Sequence, residues 1–124
     1  MRKFTVRDRL SSFKYAFHGV KYLFATQPNI WIHATLAAVA VLSGIVFQIS
    51  LTEWGFLCFA IGFVFAAEVF NTAIEVLTDM ISPGYSEKAK AAKDLAAAGV
   101  LFAATTALVT GLLVFGRRIL ELFQ

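Results

Sequence analysis

The sequence has few of the residues that shape most small soluble proteins. Only 15% of its 124 residues are charged, against about a quarter in a typical soluble domain. Its single cysteine, Cys58, excludes an internal disulfide framework and a cysteine-based zinc site. Only two prolines are present, and no polar low-complexity tract, which argues against disorder. No Walker-type phosphate loop and no GxGxxG motif occur, which excludes the familiar soluble nucleotide folds.

Apolar residues dominate instead. They make up 59% of the chain, and 13 of them are phenylalanine. Three segments are apolar enough and long enough to cross a hydrocarbon core of about 30 Å. They span residues 30–49, 54–80 and 95–115. Short connections with turn residues separate them, so the sequence predicts three antiparallel transmembrane helices.

The N-terminal segment, residues 1–27, has a different pattern. Apolar residues recur there every three or four positions, at Leu10, Phe13, Phe17, Val20 and Phe24. Six basic residues accompany them against one acid, Asp8. This pattern predicts an amphipathic helix at the membrane surface, attracted to anionic lipid headgroups. A cleaved signal peptide fits poorly, because no short apolar region with a small-residue cleavage site follows the charges.

The placement of basic residues predicts the orientation of the chain in the membrane. The N-terminal segment and the loop at residues 80–94 carry nine of the eleven lysines and arginines. Basic residues are enriched on the cytoplasmic side of membrane proteins. We therefore expect the N-terminus and this loop to face the cytoplasm, with the second span running inward.

Four polar residues within the second span predict the functional site, and we call them the polar strip: Glu68, Asn71, Glu75 and Asp79. At about 100° per helical residue they fall within about 80° of one face. A charged side chain near the bilayer centre costs at least about 2.5–3.5 kcal/mol. The strip must therefore face other helices, water, a cation or a substrate.

The residues alone leave several interpretations open. The strip is consistent with hydrogen bonding between helices, with a small proton-coupled transporter that uses Glu68, and with a scaffold subunit. Lys93 and Asp94, at the expected start of the third span, fit either an interfacial anchor with a helix cap or a phosphate-binding pair. His33 fits a satisfied polar group, since no second metal-ligand residue stands at a suitable spacing.

The sequence resembles the prokaryotic diacylglycerol kinase family, which includes undecaprenol kinases. The resemblance rests on the stretch EVFNTAIEVLTD at residues 68–79 and on Ala92-Lys93-Asp94 before an alanine-rich helix. It covers nearly the whole chain. The segment FKYAF at residues 13–17, with Gly19, Asn29 and His33, is more similar to the undecaprenol-kinase branch.

The resemblance implies roles for particular residues. Glu68 would bind the lipid substrate and take the proton from its hydroxyl, and Asn71 would orient the reacting groups. Glu75 would hold Mg²⁺ at the ATP phosphates. The remaining nucleotide contacts would come from Tyr15, Lys93 and Asp94.

One position departs from the family. Gln27 stands where the family commonly has a second acidic metal ligand. A glutamine offers Mg²⁺ a neutral carbonyl oxygen and removes one negative charge from the site.

The whole expectation is a single all-α integral membrane domain over residues 1–124. It combines the surface helix with three transmembrane helices, and the resemblance implies a homotrimer. The implied activity is an ATP- and Mg²⁺-dependent lipid kinase of the bacterial inner membrane, acting on undecaprenol or diacylglycerol, with no nucleic-acid partner.

Overall fold

The computed structural model describes residues 6–124, with side chains from residue 11 onward. Four α-helices account for almost all of it: α1 (Val6–Thr26), α2 (Asn29–Val46), α3 (Leu51–Ile81) and α4 (Glu87–Glu121). No strand occurs within the described residues. The expected all-α fold is confirmed.

Three of the helices are long and apolar enough to cross a membrane, namely α2, α3 and α4. At 1.5 Å per residue, the 18 residues of α2 span about 27 Å, which matches a hydrocarbon core of about 30 Å. The 31 residues of α3 and 35 residues of α4 exceed that thickness. Both helices therefore extend beyond the core.

The turn between α2 and α3 is compact. The α2 helix ends at Val46, earlier than the expected residue 49, and Gln48 then adopts a left-handed backbone conformation with φ of 49°. Ser50 and Glu53 form a capping box, in which the Ser50 hydroxyl accepts from the Glu53 N–H and the Glu53 carboxylate accepts from the Ser50 N–H. The capping box thereby satisfies two of the free N–H groups at the start of α3.

The fourth helix begins earlier than the apolar pattern indicated. It starts at Glu87 rather than at residue 95, and the Ser86 hydroxyl accepts a hydrogen bond from the Ala89 N–H. Serine is a favoured N-cap, and the Glu, Lys and Ala residues that follow are strong helix formers. Lys93 and Asp94 consequently lie inside the helix, so the interpretation of Asp94 as the helix cap is wrong.

A cluster of buried apolar residues lies toward the α2–α3 turn. It consists of Ile49, Leu57, Val114 and Phe115. At the same end, Arg118 of α4 makes a bidentate ion pair with Glu53 of α3, with N–O distances of 2.7 and 3.0 Å. These contacts join α3 to α4 at the end opposite the polar strip.

The first helix forms, but its predicted apolar stripe is mostly uncovered in the single chain. Phe13 is 66% exposed and Phe17 is 71% exposed. Leu23 is buried, and the Phe24 ring meets Trp31 of α2 edge-on with centroids 5.1 Å apart. Leu10 lies outside the described side chains. The placement of α1 at a membrane surface stays a prediction.

Candidate active site

The polar strip lies on α3, which is one continuous helix through all four positions. Three α3 side chains are buried although they are polar: Glu68, Asn71 and Thr72. The Asn71 amide donates to Glu75 Oε1 over 3.2 Å, so adjacent members of the strip contact one another. The strip becomes more exposed toward the C-terminal end of α3, where Asp79 lies at the surface.

Three buried oxygens of this region lack a hydrogen-bond partner. They are Glu68 Oε1, Asn71 Oδ1 and Thr72 Oγ1. A buried polar group left unpaired costs about 1–3 kcal/mol, and native proteins keep few of them. Their clustering on neighbouring turns of one helix is typical of a site that binds a polar group of a ligand.

His33 of α2 approaches the strip from the side. Its Nε2 lies 3.1 Å from Glu68 Oε1, although the contact lacks the alignment of a hydrogen bond. The sequence interpretation of His33 as an ordinary satisfied polar group did not anticipate this pairing. The available signal was a lone ionisable residue within an apolar span, which by default indicates function. Thr72 borders the strip on α3 and is buried beside it.

Gln27 and Glu75, the two residues predicted to hold Mg²⁺, lie side by side although they are 48 positions apart in the sequence. The Gln27 amide nitrogen donates to Glu75 Oε2 over 3.2 Å. Within the described residues no cluster of three or more His, Cys, Asp or Glu side chains is suited to a metal ion.

The residues at Glu75 nevertheless fit Mg²⁺, because this ion is usually held by one or two carboxylates together with substrate phosphates. Glu75 supplies one carboxylate, and the Gln27 and Asn71 amides beside it each carry an oxygen. To reach the ion with that oxygen, the Gln27 amide group must turn over, since its nitrogen now faces Glu75.

Charged residues lie close together beside the α3–α4 loop, where α3 ends and α4 begins. Lys93 forms an ion pair with Asp79, which links the predicted nucleotide contact to the polar strip. Asp94 instead pairs with Lys90 at 2.6 Å. Both lysines border a shallow cavity of about 240 Å³ formed with the α3–α4 loop.

Tyr15 lies on the surface of α1. It is 69% exposed on α1, and among the described residues no hydrogen bond joins it to Lys93, Asp94 or Glu75.

An apolar groove of about 410 Å³ runs between α2, α3 and α4. His33 lines it at the end nearest Glu68, and Phe115 and Ile119 line it toward the α2–α3 turn. The surface is almost entirely apolar, with Leu, Val, Ala and Phe side chains. Glu68 therefore lies at the groove end of the polar strip, beside the groove-lining His33.

Three membrane-length helices with a buried acidic site define a small multi-spanning membrane protein. The sequence model of the family described as "Prokaryotic diacylglycerol kinase" matches residues 14–115. The chain belongs to that family, a family of lipid kinases, which confirms the enzyme class inferred from the sequence.

Curated relatives agree with this assignment. The chain is 36% identical to an undecaprenol kinase of Bacillus subtilis over 104 residues, which cover 84% of this chain and 85% of that protein. It is 37% identical to a diacylglycerol kinase of Synechocystis over 103 residues, covering 82% of this chain and 59% of that protein. Identities this similar do not separate the two substrate types.

Proposed function

We propose that this protein transfers the γ-phosphate of ATP to the hydroxyl of a membrane lipid, either undecaprenol or diacylglycerol. The observation that supports this most is the position of Glu68. Its buried carboxylate lies where the apolar groove ends and the polar strip begins. A lipid alcohol with its chain in the groove would present its hydroxyl to this carboxylate, while ATP would approach along the strip.

Glu68 acts as the general base in this proposal. It takes the proton from the lipid hydroxyl as the hydroxyl oxygen bonds to the γ-phosphorus. The bond between that phosphorus and the β,γ-bridging oxygen breaks, and ADP leaves. Asn71, one turn along α3, has a buried oxygen without a partner and orients the reacting groups. Positioned proton transfer of this kind contributes about 10²- to 10⁴-fold to a rate.

The nucleotide occupies the charged end of the site in this proposal. Glu75 with Gln27 would hold Mg²⁺, which neutralises phosphate charge when bound. Lys93 exchanges its partner Asp79 for a phosphate oxygen, and Asp94 contacts the nucleotide from the same turn of α4. Tyr15 covers the nucleotide when α1 packs over the α3–α4 loop. Phosphoryl transfer depends mainly on such positioning and charge stabilisation.

The assembly and orientation complete the proposal. The N-terminus and the α3–α4 loop face the cytoplasm of a bacterial cell, because they carry most of the basic residues. The α1 helix lies on the inner surface of the plasma membrane. Three copies assemble, and the apolar surface exposed on the single chain supports burial against other copies as well as lipid.

The preference for one lipid in this proposal rests on resemblance. The segment from Phe13 to Phe17 resembles the undecaprenol-kinase branch of the family, which favours undecaprenol over diacylglycerol. Both lipids present a primary hydroxyl beneath a long apolar body, so the groove and Glu68 suit either one.

The test is transfer of labelled γ-phosphate from Mg-ATP to lipid by the purified protein in detergent micelles. Undecaprenol and a diacylglycerol are offered separately. We expect a labelled lipid phosphate with at least one of the two lipids, and faster turnover with undecaprenol than with the diacylglycerol. No labelled product with either lipid would contradict the proposal and would favour the transporter interpretation of Glu68.

A further inference from the structure

His33 is the polar side chain of α2 that reaches the candidate base. It lies five residues into a helix that is otherwise almost wholly apolar. Its side chain is 19% exposed and that of Glu68 only 4%, so their 3.1 Å contact is largely shielded. Neither the polar strip nor the predicted nucleotide residues include it.

Glu68 has no other polar partner in the part of the chain that the structure describes. It makes no hydrogen bond, and His33 is its ion-pair neighbour there. A buried carboxylate with one neighbour can rotate about its side-chain bonds, and a base must be held in place to act efficiently. A misplacement of about 1 Å can cost about 10²-fold in rate.

We propose that His33 is a positioning residue for Glu68, an inference that rests on the proposed kinase function. The Nε2–H of His33 aligns with Glu68 Oε1 when the lipid is bound and holds the carboxylate at the end of the apolar groove. The second carboxylate oxygen then faces the lipid hydroxyl. Hydrogen bonds in catalytic sites are often poorly aligned without substrate and tighten in the complex.

The chemistry of imidazole suits this role. An arginine beside a carboxylate stays cationic and makes that carboxylate a weaker proton acceptor. A neutral imidazole donates one N–H without that charge. His33 also lines the groove, so the same ring contacts the lipid and the base.

The experiment compares His33→Leu and His33→Gln in the full-length protein. Glutamine places its amide nitrogen about as far from the backbone as histidine places Nε2, whereas leucine has no donor. The measurements are kcat, the KM for Mg-ATP and the thermal unfolding midpoint. His18→Leu is the matched control, because His18 is exposed on α1 and lies outside the proposed site.

We expect His33→Leu to lower kcat by about 10- to 100-fold with an unchanged KM for Mg-ATP. His33→Gln should recover most of that loss, and His18→Leu should behave as the unmodified protein. Should the leucine variant fail to fold, His33→Asn replaces it, since its amide is one carbon shorter than that of glutamine. We then expect activity with glutamine and a loss with asparagine.

Three results would overturn the role of His33. A leucine variant with full kcat and only a lower unfolding midpoint would show a structural tie between α2 and α3. Equal losses of kcat in His33→Gln and in His33→Leu (or in His33→Asn, where it replaces the leucine variant) would show that the N–H donor does not hold Glu68 in place. If the unmodified protein phosphorylates neither lipid, the kinase proposal and the role of His33 both fail. The first two results, by contrast, reject the role of His33 and leave the kinase proposal standing.

Discussion

At the scale of single residues, the most costly feature is the carboxylate of Glu68, which is buried among apolar helices. Burial of Glu68 on a membrane helix costs at least about 2.5–3.5 kcal/mol near the bilayer centre, and no hydrogen bond in the described chain offsets that cost. A leucine would fill the same space without the cost. An acid at this position therefore favours a role toward a bound molecule over a role in stability.

Glu75 gives a second test at this scale. We predict that Glu75→Gln raises the Mg²⁺ concentration needed for half-maximal activity at least about tenfold, because even the loss of a group behind a metal ligand typically costs 10- to 100-fold. The variant removes the carboxylate that Gln27 and Asn71 contact. A titration of activity with Mg²⁺ at fixed ATP measures the effect.

The matched control is Glu87→Gln, which makes the same change at an exposed position in the first turn of α4. It should leave the Mg²⁺ titration unchanged. An identical Mg²⁺ dependence in Glu75→Gln and the unmodified protein would remove Glu75 from the metal site.

At the scale of secondary-structure elements, the membrane helices could be predicted from apolar runs, but their ends could not. Hydropathy detects only the part of α4 that suits lipid, whereas its first turns are polar and are stabilised by the Ser86 cap and helix-forming residues. The shared face of the polar strip follows from helical periodicity alone. The His33–Glu68 contact could not be predicted, because it depends on how α2 and α3 are rotated against each other.

The α2–α3 turn provides the stability prediction at this scale. A Cβ on Gly44 would lie 2.8 Å from the Trp54 ring and 3.1 Å from Ile49. We therefore predict that Gly44→Ala destabilises the protein by about 1–3 kcal/mol, since overfilling a packed region displaces its neighbours. Chemical unfolding in detergent micelles measures the change.

Gly55→Ala serves as the comparison, because a Cβ there meets nothing within 4 Å. Alanine in a helix is favoured over glycine by roughly 0.5–1 kcal/mol, so this variant should be equally or more stable. Equal stability of the Gly44 and Gly55 variants would contradict the close packing of Trp54 on α2.

At the scale of the whole molecule, one chain of this length leaves its site open. Lys93 and Asp79 lie at an exposed end, Tyr15 is exposed on α1, and the faces of the membrane helices are largely uncovered. The fold and the family could be recognised from sequence motifs, whereas the assembly rests on the expectation that neighbouring copies complete each site.

Mixed assemblies test that expectation. We predict that a Glu68→Gln chain and a Lys93→Met chain, each inactive alone, regain phosphate transfer when they are co-reconstituted. A site built from two copies can take its base from one and its lysine from the other. Two differently tagged Glu68→Gln chains mixed in the same way are the control and should stay inactive. If the mixture of different variants is equally inactive, Glu68 and Lys93 of each site come from the same chain.

The most direct test of the central claim is Glu68→Gln in the lipid phosphorylation assay, combined with ATP binding to the same sample. The substitution keeps the size of the side chain and removes its ability to accept a proton. We predict a loss of transfer of at least about 100-fold, with ATP affinity and thermal unfolding close to those of the unmodified protein. Transfer within a few-fold of the unmodified rate would contradict Glu68 as the base.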